Sequence, residues 1–105
     1  MRHFRPLDLK AYLDKGEQPL LLDVREPWKF QILRIAGSRL VPLREIWQQI
    51  GTLDPSQETV LICHHGIRCR QVGYFLENVG FTQLINLTGG VEAWAQEVDP
   101  NMLTY

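Results

Sequence analysis

The sequence of 105 residues predicts one α/β domain with a central, mostly parallel sheet and helices on both faces. Three short runs, Leu20–Val24, Thr59–Cys63 and Leu84–Leu87, are nearly continuously apolar, which is typical of strands buried on both faces. Segments with apolar residues at helical spacing separate these runs, and such alternation favours a covered parallel sheet. We therefore expect ligands to bind beyond the carboxyl ends of the strands.

The first half of the chain predicts a helix, a strand and several shorter elements. Leu9, Tyr12 and Leu13 recur at helical spacing, with Pro6 as a start signal and Gly16 as a stop signal. A strand at Leu20–Val24 follows, and then one or two helical turns over 28–33 after Pro27. A turn at Gly37 and Ser38 leads to a short strand at Leu40 and Val41. The last elements of this half are a helix through Leu43, Ile46, Trp47 and Ile50 that ends at Gly51, and a turn over 54–56.

The second half contains the clearest strand pattern, Thr59–Cys63, because this run is continuous and partly β-branched. A helical stripe follows and ends at a glycine, and a last strand and a last helix come after it. The stripe comprises Cys69, Val72, Leu76 and Val79 before Gly80; the strand is Leu84–Leu87; the helix runs from Gly89 and Gly90 through Trp94; and residues 99–105 are expected to form an irregular packed end.

The composition excludes several classes of function. Eleven basic and twelve acidic side chains give a net charge of −1, whereas proteins that bind nucleic acid usually carry a basic surplus. The longest strictly apolar run, Val60–Cys63, is only four residues long, whereas a membrane helix needs about 20. Residues 1–6 lack the apolar core of a signal peptide. We therefore expect a cytoplasmic protein without nucleic-acid or membrane partners, and a monomer at this size.

The chemically reactive residue types are concentrated in the segment Cys63–Arg68, which reads CHHGIR. A strand ends at Cys63, a short loop with Gly66 follows, and a helix begins near Cys69. Backbone N–H groups of such a loop converge above the strand end, and the helix N-terminus adds partial positive charge. Surroundings of this kind lower a cysteine pKa to about 3.5–7.5. The segment, with the permanent charge of Arg68, predicts a cradle for an anion at Cys63, although the spacing alone is equally compatible with an inert buried cysteine.

Four segments in this order carry a family resemblance. Residues 20–28 read LLLDVREPW, residues 35–38 read IAGS and are followed by VPL at 41–43, residues 60–68 read VLICHHGIR, and GF at 80–81 is followed by NLTGGVEAW at 86–94. Together they resemble the single-domain rhodaneses, the thiosulfate sulfurtransferase-like proteins. The resemblance implies the rhodanese-like three-layer fold, with about five short strands and helices on both faces, as one domain over residues 1–105.

The resemblance also implies an activity, the transfer of sulfane sulfur from thiosulfate or another donor to a thiophilic acceptor. Cys63 matches the nucleophile that accepts the sulfur as a persulfide. A second nucleophile, cyanide in an assay or a thiol or protein in the cell, then removes that sulfur. Two half-reactions through a covalent form of the enzyme predict ping-pong kinetics. No cofactor is expected.

Other positions of the site follow from the same resemblance. Asp23 matches a strand-end aspartate that organises the site through an ion pair, and Arg25 is an outer contact for the anion. The substrate-binding loop comprises His64, His65, Gly66 and Ile67, and Arg68 closes it.

Cys69 departs from the family pattern, in which a small residue, often serine, is usual. We predict that it packs on the helix face with the apolar stripe, and a resolving or redox cysteine is the alternative. A fully helical segment 63–69 would rise about 9 Å, which is too far for an unstrained disulfide. A curled loop would bring the two cysteines closer.

The paired histidines raise the question of a metal site. Zinc sites usually draw four ligands from two places in the chain, whereas Cys63, His64, His65 and Cys69 lie within seven consecutive positions. We therefore expect no metal. The two histidines are expected either to tune the loop by charge or hydrogen bonding or to be exposed to solvent.

Two other functions fit parts of the pattern. Cysteine phosphatases also close a loop with an arginine, but they place five residues between the two, whereas four separate Cys63 from Arg68 here. A sulfur-carrier or docking module for a partner protein is the second alternative. The segment Trp94–Pro100 resembles the ends of rhodanese domains fused to ubiquitin-activating-like sulfur-transfer enzymes, which is consistent with a protein acceptor. The retained cysteine, glycine and arginine favour a catalytic domain.

Overall fold

A computed structural model describes residues 1–103, which form a parallel five-stranded sheet between two layers of helices. The strands are β1 (Arg2–Phe4), β2 (Leu20–Asp23), β3 (Arg39–Leu40), β4 (Thr59–Ile62) and β5 (Leu84–Leu87). The helices are α1 (Pro6–Asp14), α2 (Pro27–Ile32), α3 (Ile46–Gln49), α4 (Ile67–Asn78) and α5 (Gly90–Glu97), and 3₁₀ turns at Leu43–Glu45 and Ile50–Thr52 flank α3.

The strands lie in the order β1-β5-β4-β2-β3, and every neighbouring pair is parallel. Strand β4 is therefore central and contacts β2 and β5, and all four of its residues are buried. Parallel strands of one sheet end at the same edge, and Asp23 at the end of β2 pairs with Ile62 at the end of β4. This register places Asp23 and Cys63 at that edge, where ligands are expected in such sheets.

The side chains of each strand alternate between two apolar cores, one on each face of the sheet. Leu22 and Leu61 point to the core that α3 and α4 cover, whereas Leu21, Val60 and Ile62 point to the core that α1 and α5 cover. Both cores consist mainly of aliphatic and aromatic side chains, whose burial drives folding. The arrangement is the α/β fold with helices on both faces that the sequence predicts.

The structure differs from the sequence-based predictions at four places. Strand β1 was not predicted, because Arg2 and His3 are both polar and the strand is an edge strand held by pairing with β5. The predicted helix over 43–50 is a short α-helix between two 3₁₀ turns, and β3 lies one residue earlier than predicted. Val79 of the predicted apolar stripe is 45% exposed because α4 ends at Asn78.

The described end of the chain is irregular, as predicted. Residues 99–103 contain no helix or strand, and Met102 packs against the core beneath α5; residues 104 and 105 of the predicted irregular end lie outside the described part. Within residues 1–103, no helix combines the length and the apolar character that crossing a membrane requires.

Candidate active site

Cys63 lies directly after β4, below the loop of residues 64–66 and the first turn of α4. The side chain is only 4% exposed. The backbone N–H of Gly66 donates a hydrogen bond to Cys63 Sγ at 3.0 Å, and the N–H groups of His65 and Cys69 also act on this sulfur. The predicted convergence of loop and helix N–H groups on the strand end is therefore present in the structure.

These donors change the acidity of the thiol. The thiol of Cys69 donates a hydrogen bond to the sulfur of Cys63, and this bond contributes most to lowering the Cys63 pKa to about 6. Burial opposes the effect, and the N–H groups of Cys69, Gly66 and His65 lower the pKa further. Cys63 is therefore mainly a thiolate at neutral pH, which is the nucleophilic form of cysteine.

Cys69 is fully buried on α4, in the same apolar core as Val72 and Leu76. The predicted packing on the helix face agrees with this position. Burial and then the neighbouring Cys63 raise the Cys69 pKa, so this thiol keeps its proton and serves as a donor. Both cysteines are free thiols. The hydrogen bond between the thiols of Cys63 and Cys69 was not predicted from the sequence, because it depends on the curled path of the loop 64–66.

We expect replacement of Cys69 by alanine to raise the Cys63 pKa. A hydrogen bond to a charged group contributes about 1.5–3 kcal/mol, and about 1.4 kcal/mol changes the acid dissociation constant of Cys63 tenfold. The fraction of thiolate near pH 6 should therefore fall, and alkylation of Cys63 by iodoacetamide should slow about tenfold or more. The measurement is the alkylation rate of Cys63 between pH 4.5 and 9.5, with the midpoint of the pH profile as readout.

The lowered Cys63 pKa also makes stability depend on pH, because the fold stabilises the thiolate. The contribution of Cys63 to the free energy of unfolding should increase as the pH rises from about 6, the pKa in the folded protein, to 9.0, the ordinary pKa of cysteine.

The matched variants for this prediction are Cys69→Ser and Val72→Ala. Serine keeps a donor at the same place and should leave the midpoint near its original pH. Val72→Ala removes buried volume from the same face of α4 but removes none of the hydrogen-bond donors to Cys63, so it should lower stability and leave the midpoint unchanged. An unchanged midpoint in Cys69→Ala would contradict the assigned hydrogen bond.

Gly66 caps the N-terminus of α4 with a φ of +89°, which side chains rarely tolerate. A Cβ on this residue would also lie 2.9 Å from the carbonyl oxygen of Leu87 and 3.0 Å from the backbone nitrogen of Gly89. Glycine is therefore needed both for the turn and for the close contact with the segment before α5. This conformation directs the Gly66 N–H toward Cys63 Sγ.

The N-terminus of α5 fixes the same loop from the other side. The N–H of Val91 donates to the carbonyl oxygen of Cys63 at 2.8 Å, and the N–H of Glu92 donates to that of His64 at 3.2 Å. A Cβ on Gly90 would overlap both of these carbonyl groups. Gly90 of the TGG segment at 88–90 therefore allows α5 to approach the loop closely enough to hydrogen-bond to it.

His64 and His65 are positioned differently. His65 is exposed, and its Nδ1 lies 2.7 Å from Oε2 of Glu92 on α5. His64 is half-buried, and its Nε2 lies 3.9 Å from the same carboxylate oxygen. Burial, and then the nearby His65, lower the His64 pKa, so His64 is neutral at pH 7. Sequence reasoning missed Glu92, whose carboxylate ties the loop to α5.

Among residues 1–103, the potential metal ligands that come closest together at this edge are His64, His65 and Glu92, with one ligand atom each within 4.8 Å of one another. Two imidazoles and one carboxylate are a donor set that zinc accepts. The contact between His65 and Glu92 accounts for most of the grouping without an ion.

Asp23 and Arg25 form a buried ion pair beside the site. Arg25 Nε lies 2.9 and 3.0 Å from the two carboxylate oxygens of Asp23, and Nη2 lies 2.7 Å from Oδ2. The same guanidinium donates to the carbonyl oxygen of Leu33 at 2.7 Å, beyond the end of α2. Arg25 thereby connects the end of β2 to the segment after α2, and Asp23 accepts from its Nε and Nη2 groups. The predicted ion pair of Asp23 is present.

An open cavity of about 600 Å³ lies above Cys63. Arg68 and Ile67, the first residues of α4, line it together with His64 and His65. Residues from two other elements complete the wall: Val24, Arg25, Glu26 and Lys29 from the segment at β2 and α2, and Pro42, Leu43 and Arg44 from the 3₁₀ turn before α3. The cavity thus brings every predicted site residue except the buried Asp23 and Gly66 to one opening.

Sequence reasoning missed the contribution of Pro42, Leu43 and Arg44. Arg44 belongs to none of the motifs in the sequence. The 3₁₀ turn after β3 folds back over the sheet edge, where the N–H of Leu43 donates to the carbonyl oxygen of Val24 at 3.0 Å. No local sequence signal indicates that contact, although Pro42 does mark the end of the strand.

The chain is similar to known proteins over most of its length. The model of the rhodanese-like domain family matches residues 5–97. The probable adenylyltransferase/sulfurtransferase MoeZ of Mycobacterium tuberculosis is 32% identical over 102 residues, which are 95% of this chain and 26% of that protein. The thiosulfate sulfurtransferase GlpE of Vibrio cholerae is 28% identical over 96 residues, covering 90% of this chain and 91% of that protein.

The fold has close counterparts among solved structures. A rhodanese-like domain protein from Staphylococcus aureus superposes with a TM-score of 0.85 at 23% identity, over 100% of this chain and 99% of that one. Several curated relatives are much longer, and the chain spans only 22% to 32% of their length. Relatives of both kinds, long and short, include proteins named as sulfurtransferases.

Proposed function

The chain belongs to the rhodanese-like domain family, and from this premise we propose that it is a sulfurtransferase that carries sulfane sulfur as a persulfide on Cys63. Thiosulfate is the proposed test donor, and a thiol or a protein is the proposed acceptor in the cell. Residues 1–105 are proposed to act as one domain. No cofactor takes part in this chemistry.

One observation carries the proposal: a buried thiolate lies under converging hydrogen-bond donors at the bottom of an open cavity. The pKa of about 6, which results first from the Cys69 thiol and then from the loop N–H groups, keeps Cys63 ionised at neutral pH. The cavity of about 600 Å³ gives a sulfur donor access to it. Inert buried cysteines have the opposite property, because burial in apolar surroundings raises their pKa.

In the first half-reaction, the thiolate of Cys63 attacks the outer sulfur of thiosulfate. A bond forms between Cys63 Sγ and that sulfur, the sulfur–sulfur bond of thiosulfate breaks, and sulfite leaves with the bonding electron pair. The N–H groups that surround Cys63 are positioned to stabilise the negative charge on the persulfide. Arg68 lines the cavity and supplies positive charge for the incoming dianion.

In the second half-reaction, a thiophilic nucleophile attacks the terminal sulfur of the persulfide. The persulfide bond breaks, its electron pair returns to Cys63, and the thiolate is restored by the same hydrogen bonds that favoured it at the start. The low Cys63 pKa makes this thiolate a good leaving group. One set of donors therefore assists both half-reactions.

Mass spectrometry of the intact protein after brief incubation with thiosulfate tests the proposal. We expect the mass of one additional sulfur atom, located on the peptide that contains Cys63, and its loss on addition of cyanide. The control is protein alkylated beforehand with iodoacetamide, which should take up no sulfur. A reduced protein that gains no sulfur from thiosulfate would contradict the proposed activity and favour a docking module.

A further inference from the structure

The cavity above Cys63 is much larger than thiosulfate requires. Its volume of about 600 Å³ falls within the range of about 300–1,000 Å³ that is typical of sites for organic ligands. Thiosulfate or cyanide would occupy only the space next to the sulfur. The remaining space extends between the 3₁₀ turn at Leu43–Glu45, the start of α4 and the segment after β2.

The charges on the cavity wall favour an anion. Asp23 neutralises Arg25, and Glu26 neutralises Lys29 at 3.6 Å. Throughout residues 1–103, the structure shows no hydrogen bond or ion pair for the guanidinium of Arg44 or of Arg68. Two uncompensated arginines therefore line the cavity, and arginine is well suited to bind a carboxylate in bidentate fashion.

Besides these charged groups and the two histidines, the wall is mainly apolar. Leu43 and Ile67 line the cavity and are 38% and 59% exposed, and Pro42 and Val24 line it as well. Exposed large apolar side chains around a functional opening are typical of binding sites. An organic body in contact with these side chains would remove them from water, at about 25 cal/mol for each Å² of apolar surface.

We propose that this part of the cavity is an acceptor subsite for a low-molecular-weight organic thiol that carries a carboxylate, with Arg44 as the residue that binds the carboxylate and Leu43 and Ile67 as contacts for the organic body. The proposal rests on the proposed function, because the thiol discharges the Cys63 persulfide. The acceptor thiolate attacks the terminal sulfur, an acceptor persulfide forms, and the electron pair of the broken bond returns to Cys63. No oxidant or reductant is consumed.

A matched pair of acceptors tests this proposal. 4-Mercaptophenylacetate carries a carboxylate, whereas its methyl ester has the same ring and nearly the same thiol without the charge. The measurement is kcat/KM for each acceptor with thiosulfate as donor, and the readout is the ratio of acid to ester. Wild-type protein should have a kcat/KM for the acid that is on the order of five- to tenfold higher than for the ester. In Arg44→Gln this ratio should fall toward one, because the exposed guanidinium of Arg44 is the group that distinguishes the carboxylate from the ester.

Two controls separate the subsite from general effects of charge. Arg39→Gln makes the same change of net charge at an arginine that bonds Thr52 and does not line the cavity, and it should keep the acid-to-ester ratio. Arg44→Lys keeps a positive charge and should restore part of the preference. Raising the salt concentration should reduce the ratio in the wild type, because salt screens exposed charges.

The outcomes distinguish this inference from the proposed function. Equal transfer to acid and ester by the wild type, or an unchanged ratio in Arg44→Gln, would overturn the subsite while cyanide still discharges the persulfide. Absence of discharge by cyanide would instead overturn the proposed function itself. A lowered ratio in Arg44→Gln with an unchanged ratio in Arg39→Gln would establish the subsite.

Discussion

Replacement of Cys63 by serine is expected to abolish sulfurtransfer from thiosulfate to cyanide, with kcat lower by at least about a thousandfold. A serine hydroxyl stays protonated at neutral pH and forms no persulfide, so the first half-reaction has no covalent product. The change exchanges sulfur for the smaller oxygen atom and keeps a polar group at the position. The N–H of Gly66, now 3.0 Å from the sulfur, can donate to the hydroxyl oxygen, so the loop should keep its shape. Turnover and the uptake of sulfur by the intact protein are the two measurements.

Cys69→Ser is the matched control, because it makes the same chemical change six positions along the chain and leaves the proposed nucleophile in place. It should retain transfer with a pH profile close to that of the wild type. Retention of activity in Cys63→Ser together with its loss in Cys69→Ser would assign the nucleophile to Cys69. The raised pKa of Cys69 argues against that outcome, because a protonated thiol is a poor nucleophile.

Much of the fold could be predicted because the main strands and helices carry local signals. The runs that became β2, β4 and β5 are apolar because both of their faces are covered, and this requirement is visible in the sequence. Strand β1 carries no such signal, since Arg2 and His3 are polar and the strand exists only through pairing with β5. An edge strand depends on a distant partner, and single-sequence patterns do not report distant partners.

The candidate site was predictable to a similar degree. The order strand, cysteine, glycine loop and helix indicated a thiolate cradle, because N–H groups of such a loop point to the strand end, but only the family resemblance distinguished it from an inert buried cysteine. Contributions from elsewhere in the chain were not predictable. Glu92 and Arg44 reach the site from α5 and from the turn before α3, and the donor role of Cys69 depends on how tightly the loop curls. Each of these is a tertiary contact between segments that lack a shared local pattern.

Removal of one partner of the ion pair between Asp23 and Arg25 should destabilise the fold strongly, because it leaves the other charge buried without a counter-ion. Both side chains are almost completely buried, at 0% and 2% exposure. In Asp23→Asn the guanidinium keeps its charge but loses its counter-ion at an almost completely buried position, which typically costs about 3–5 kcal/mol. The free energy of unfolding of small domains is only about 5–15 kcal/mol, so the loss is a large fraction of the total. Unfolding in urea, followed by circular dichroism, measures it.

The exposed pair of Lys10 and Asp14 on α1 supplies the control, because Asp14→Asn breaks an ion pair of similar length in solvent. That change should alter the free energy of unfolding by less than about 1 kcal/mol. A loss in Asp23→Asn as small as the loss in Asp14→Asn would contradict the importance of the buried pair.

A double variant, Asp23→Asn with Arg25→Met, separates the role of the pair in stability from its role in the site. Removal of both charges leaves no uncompensated ion, and the asparagine oxygen can still accept the backbone N–H of Arg25, as Asp23 Oδ1 now does at 3.0 Å. Stability should therefore recover in large part. Transfer activity should stay low, because methionine cannot donate to the carbonyl oxygen of Leu33 and the segment that carries Lys29 and Glu26 over the cavity loses its attachment to β2. Full recovery of both stability and activity would show that the pair serves packing alone.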